Sequence, residues 1–236
     1  MPRSAVAVLL LFASARPALG QTPYRVTWWD AGSVGTAGVL AVLPMALKLP
    51  HGLPSCVLPC DPGSVPGIDR AALHNASATA ATGSTVLLGG VVGAAAFASL
   101  HGLDAAQARG NAAVLLNSLA WTQATTAWLK VIVHRSRPVL YTADAVAAAS
   151  QRDNRESFPS GHASLAFAAA TSYLVVAQRE QLPHRARNAA LMYAGAASVA
   201  ALRVAGGKHF PTDVIGGAVL GSAIGWLVAR IHATVP

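Results

Sequence analysis

The sequence predicts an all-α fold, a bundle of about six helices crossing a membrane, on three observations. First, 53% of the 236 residues are hydrophobic and only 11% are charged, less than half the roughly 25% charged residues of an ordinary soluble domain. Second, apolar segments recur at residues 34–49, 82–100, 111–133, 163–177, 188–205 and 214–231, without strand-like alternation and mostly too long for single strands. Third, small residues are spaced through them, such as Gly89, Gly90 and Gly93 or Gly217, Gly221 and Gly225, which permits the close helix approach typical of bilayers. This composition excludes disorder, and the chain has enough apolar material to fold without a metal or disulfides.

Ahead of the helices, residues 1–20 carry Arg3, a short apolar run and a small-x-small ending at Ala18, Leu19 and Gly20. That is the layout of a secretory signal cleaved before Gln21, since the apolar core is about half the roughly twenty residues a span needs. Residues 21–81 then read as an N-terminal helix and a Pro-rich loop, and residues 82–236 as the helical core. Tyr24, Trp28 and Trp29 look like an interfacial aromatic anchor. In an oxidising compartment Cys56 and Cys60, with three residues between them, read as a loop disulfide. Two free thiols or a metal are the alternatives, but His51 and His74 do not fall at a zinc-site spacing. Asp61, Asp69 and Arg70 read as a loop clamp.

The loops differ in chemistry. Residues 179–187 hold Arg179, Arg185 and Arg187 against Glu180, so the positive-inside rule turns them to the cytoplasm and the polar loop 138–159 outward. The net charge of +8 includes no basic tract, which argues against nucleic acid as a partner and for a small anion.

Three clusters carry chemistry. Lys130, Arg137 and Arg203 are cations at the ends of different apolar helices, where burial is costly unless an anion joins them. Arginine forks beside a lysine suit a phosphate, whereas Arg135 and Arg230 read as snorkelling flank residues. Pro159-Ser160-Gly161-His162 stands just before an apolar helix, so Ser160 is expected as its N-cap, with the Gly161 and His162 amides free to meet an anion. His209 and Asp213 are four apart, so the carboxylate can hold one imidazole nitrogen while the other acts as nucleophile. Gly206 and Gly207 would let the backbone approach the phosphate. Asp144, Asp153 and Glu156 could meet a head group.

In order and internal spacing these pieces, Lys130 to Arg137-Pro138, Pro159 to His162, and Arg203 to His209 to Asp213, resemble the signature of the type 2 phosphatidic acid phosphatase (PAP2) and vanadium haloperoxidase superfamily. The resemblance covers residues from about 111 to 230. One departure is Leu202, where the family usually has serine before the arginine.

The resemblance implies a PAP2-type helical bundle of the membrane lipid-phosphatase branch, acting without metal or other cofactor. His209 would attack phosphorus, oriented by Asp213; Lys130, Arg137, Ser160, Gly161 and Arg203 would bind the phosphoryl oxygens; His162 would protonate the leaving group. Phosphomonoesters or pyrophosphates of lipids are the expected substrates, and vanadate would bind as an inhibitor. The alternatives are a vanadate-dependent haloperoxidase, with vanadate as cofactor, and a non-catalytic membrane protein that binds anionic lipids.

The expected location is the cell membrane, multi-pass, with the site on the periplasmic side. The topology holds a conflict, because six crossings with an outer site start the first helix in the cytoplasm and a cleaved signal starts it outside. An uncleaved segment, an incomplete first crossing or a soluble periplasmic bundle would each resolve it. The 15 residues of 163–177 are short for a bilayer, while the hydrophobicity favours the membrane.

Overall fold

The computed structural model describes Tyr24 and residues 26–49 and 54–233, and the expected signal at residues 1–20 lies outside them. The described chain is helical, with six long helices and one single turn: α1 (Trp28–Ala46), α2 (Ala78–Leu100), α3 (Ala105–Val133), α4 (Ala145–Ala148), α5 (Gly161–Arg179), α6 (Arg185–Ala205) and α7 (Pro211–Ile231). All six expected apolar segments are there, and each helix starts before its segment. Polar caps explain the early starts of α2 and α3. Asp104 Oδ1 accepts from the Ala106 and Gln107 amides at 2.8 and 3.0 Å, and Ser77 Oγ accepts from the Ala80 amide at 3.2 Å, satisfying N–H groups that an open first turn leaves without partners.

The centre of the bundle is α5, which packs against α2, α3, α6 and α7, while α1 lies against α3. Its alanines 163, 166, 168, 169, 170 and 177 are fully buried, so the run reads as apolar on every side because every side meets another helix. Nineteen residues of α5 extend about 28 Å at 1.5 Å each, close to the hydrocarbon thickness of about 30 Å. Its length exceeds the apolar run 163–177 by a polar first turn and by Gln178 and Arg179, and α5 is not among the helices both long and apolar enough to cross a membrane.

The spaced glycines of α7 set how closely α5 sits. A Cβ on Gly217, Gly221 or Gly225 would lie 2.6, 1.9 or 2.7 Å from the carbonyl oxygens of Ser160, Ser164 and Ala168. By contrast, added Cβ atoms on Gly89, Gly90 and Gly93 of α2 meet nothing within 4 Å, so that expected packing stripe is not one. Three helices, α2, α6 and α7, are long and apolar enough to cross a membrane. Their outer surfaces carry Val86, Phe97, Leu191 and Val219, each 65–72% exposed.

Both described chain ends lie at one end of the bundle, where Tyr24 pairs with Ala233 as an isolated antiparallel bridge. Tyr24 is 2% exposed and packs on Val114 and Val228; it is a core residue and not part of the aromatic anchor, which is left to the exposed Trp28 and Trp29. Cys56 and Cys60 are joined, with Cα atoms 5.4 Å apart, and the Cys60 amide donates to Leu140 O at 2.9 Å, tying this loop to the other end of the bundle.

Candidate functional site

The C-terminal ends of α3 and α6 and the N-terminal ends of α5 and α7 meet at the end opposite the Tyr24 bridge. After α3, His134 takes a left-handed conformation, φ +46°, and the chain turns back along the segment that leads into α5. Ser157 N–H donates to Arg135 O at 2.7 Å and Arg137 N–H to Asn154 O at 2.9 Å. This short pairing sets Lys130 and Arg137 beside the turn into Ser160. Lys130 Nζ donates to Glu156 O at 2.5 Å, and Arg137 Nη1 lies 2.9 Å from Asp153 Oδ2.

The Asp153 carboxylate, 72% exposed, thus reaches the site through Arg137, while the buried carboxylate of Glu156 pairs with Arg152 at 2.6 Å. Burial would raise the Asp153 carboxyl, but Arg137 and Lys130 beside it hold it below its usual value.

Ser160 stands at the N-cap position of α5 without a side-chain capping bond, contrary to expectation. Its amide donates to Asp213 O at 3.0 Å, and its fully buried Oγ has no partner among the described residues. The same holds for Arg137 Nε, Arg203 Nε and His209 Nδ1. His209 Nδ1 faces Asp213; buried donors normally find partners, so the other three unsatisfied groups, on three segments at one end of the bundle, mark a place for an oxyanion. His162 is in the first turn of α5, with Nε2 3.0 Å from Thr85 Oγ1. Arg203 Nη1 lies 3.4 Å from Ser84 Oγ.

His209 is 1% exposed. Its Nδ1 is 3.7 Å from Asp213 Oδ2, so the pair is in ion-pair range but longer than a hydrogen bond. Burial, together with the charges of Arg137, Lys130 and Arg203, pushes the imidazole down to about 3, against the pull of Asp213. Asp213 is otherwise fully engaged. It accepts from Ser157 Oγ at 2.5 Å, from the Phe210 amide at 2.8 Å and from Arg135 Nη1 at 2.6 Å.

Arg135 is no snorkelling residue. Its other terminal nitrogen lies 2.8 Å from Asp69 Oδ2, its guanidinium stacks 4.3 Å from the Phe210 ring centroid, and Asp69 in turn holds the amide and hydroxyl of Thr212 at 2.9 and 2.6 Å. Asp69 thus clamps the loop to the start of α7. Asp61 is not part of it and serves its own turn, its Oδ1 accepting from Gly63 N–H at 2.8 Å. Gly206 and Gly207 also differ from expectation. Gly207 has φ +63°, and Cβ atoms on the two would lie 3.0 Å from Ala81 N and 2.0 Å from Asn75 O, so they admit the backbone leading into α2.

Among the described residues no group of three or more His, Cys, Asp or Glu is placed to hold a metal ion. Sequence reasoning missed Ser84, Thr85 and Ser157, and undervalued Arg135 and Asp69. Only Arg135, between Lys130 and Arg137, carried a local signal.

A family model described as the PAP2 superfamily matches residues 111–235, leaving α1 and α2 outside the match. No curated protein and no solved structure matches the chain. With the match covering more than half of the sequence and all three basic and histidine clusters, the chain belongs to the PAP2 superfamily.

Proposed function

We propose that the protein is a membrane phosphatase that hydrolyses phosphomonoester or pyrophosphate groups of lipid phosphates through a phosphohistidine on His209. The supporting observation is the set of buried, unpartnered donors of Ser160, Arg137 and Arg203 at the end of the bundle where neutral His209 sits. A tetrahedral dianion would satisfy them, and they would strengthen as charge builds on the equatorial oxygens in the transition state. Lys130 adds a point charge and the Gly161 amide a further donor.

In the first step the His209 Nε2 lone pair forms the bond to phosphorus, the bond to the leaving oxygen breaks with its electron pair, and His162 supplies the proton. Asp213 lies on the Nδ1 side and stabilises the charge that develops on the ring. In the second step His162 takes a proton from water, whose oxygen displaces His209 and releases phosphate. The positive charge needed is supplied by Lys130, Arg137 and Arg203, so the proposed reaction calls on no metal.

Access to lipid substrates is supported by the three helices long and apolar enough to cross a membrane. The basic turn between α5 and α6 is at the end of the bundle away from the site, which supports an exterior-facing site.

The test is phosphate release from a panel of lipid phosphates, with acid-labile phosphohistidine trapped on rapid quenching. His209→Ala should abolish both, by a factor of about 10⁴ or more in kcat. Vanadate should inhibit competitively. Bromide oxidation with vanadate and peroxide, without phosphate release, would overturn the reading.

A further inference from the structure

Ser84 and Thr85 are consecutive hydroxyl residues in the apolar stretch of α2, outside the residues that match the family. They nevertheless reach two different members of the site, Thr85 Oγ1 at 3.0 Å from His162 Nε2 and Ser84 Oγ at 3.4 Å from Arg203 Nη1. The hydrogen-bond polarity of Ser84 is fixed. Its Oγ donates to Ala81 O at 2.6 Å, so a lone pair is what it offers to a guanidinium that can only donate. The Thr85 hydroxyl can both donate and accept, so it meets His162 Nε2 in either tautomer of the ring.

We infer that the Ser84-Thr85 pair positions the reacting groups from α2: Thr85 fixes the ring of His162 through Nε2, and Ser84 steadies Arg203. Both are positioning residues, since neither is asked to touch the substrate. The inference deepens the proposed function and rests on His162 being the proton donor.

The leaving group makes the Thr85 part testable. Breaking a P–O bond to an alkoxide needs a proton, whereas p-nitrophenolate leaves with little help. Thr85→Val, which keeps the shape and removes the hydroxyl, should lower kcat/KM, which reports phosphoryl transfer to His209 and not the later attack of water, about tenfold on an alkyl phosphate and less than about twofold on p-nitrophenyl phosphate. Thr85→Ser should restore the alkyl activity. Equal losses on both substrates, or no loss on either, would overturn the assignment of Thr85.

His162→Ala is the control for the underlying reading and should lose about a hundredfold or more in kcat/KM on the alkyl ester, and much less in kcat/KM on the nitrophenyl ester. If His162→Ala shows no such split, the acid assignment fails and the Thr85 inference falls with it; if His162→Ala splits and Thr85→Val does not, only the inference fails. For Ser84, Ser84→Ala should weaken inhibition by inorganic phosphate and by vanadate several-fold, with Thr85→Val leaving both unchanged. Unaltered inhibition in Ser84→Ala overturns its half of the proposal.

Discussion

The proposed attack by His209 requires a neutral imidazole, and burial among Arg137, Lys130 and Arg203 keeps it neutral down to about pH 3. The same fact has a cost in stability. An unfolded histidine takes up its proton near about 6.5, so between that value and about 3 the unfolded chain binds a proton that folded His209 refuses, and stability falls as pH drops through the window. In detergent solution the thermal midpoint of the wild-type protein should decline between neutral and mildly acidic pH, and His209→Gln should decline less. A phosphate dianion among the three cations offsets their field, so added phosphate should narrow the difference.

Lys130, Arg137, Ser160, Gly161, His162, Arg203, His209 and Asp213 lie at one end of the bundle, and that grouping was legible in the sequence because each sits in a short spaced motif. Asp69 was legible only as a loop residue. Its partners Arg135 and Thr212 are 66 and 143 positions away, and nothing local to Asp69 records that pairing.

Between elements, α5 and α7 meet by backbone contact. Gly221→Ala puts a methyl 1.9 Å from Ser164 O, and neither partner is a side chain that can turn away. It should destabilise by at least the 1–3 kcal/mol typical of overpacking and tilt Ser160 and Asp213 out of register. Gly89→Ala, facing open space in the interior of α2, should be neutral or gain about 1 kcal/mol from helix propensity. Thermal unfolding of the two variants side by side gives the comparison.

The loop before α2 is joined to α7 by charge. Arg135→Leu leaves the fully buried Asp69 and Asp213 without their shared cation, and about 3–5 kcal/mol of stability should be lost. Adding Asp69→Asn should return part of it, a coupling readable in a double-mutant cycle. The glycine spacing of α7 and the false stripe on α2 look alike in sequence, since spacing states what a helix permits and only the neighbouring helix decides whether it is used. Helix existence was legible from hydropathy; the early starts of α2 and α3 were not, because they are set by the caps Ser77 and Asp104 satisfying first-turn amides and not by where the apolar run begins.

At the scale of the whole molecule, the site and the basic α5–α6 turn occupy opposite ends. In membrane vesicles, Ser150→Cys, on the exposed loop at the site end, should react with an impermeant maleimide from outside, and Arg187→Cys only after permeabilisation. The reverse pattern would put the site in the cytoplasm. In the structure α1 packs against α3 with its N-terminus at the basic end, the placement that six crossings with an outer site require of the first helix.

The clasp between Tyr24 and Ala233 gives the bundle the connectivity of a nearly closed ring. A ring can be cut elsewhere. Joining residues 24 and 233 through a short linker and opening the chain between Pro183 and His184 would place new termini in an exposed turn at the end away from the site, without severing any helix. Such a permutant should retain phosphate release, because the segments that carry Lys130, Arg137, Ser160, His162, Arg203 and His209 would keep their helices and neighbours while their order along the chain changed.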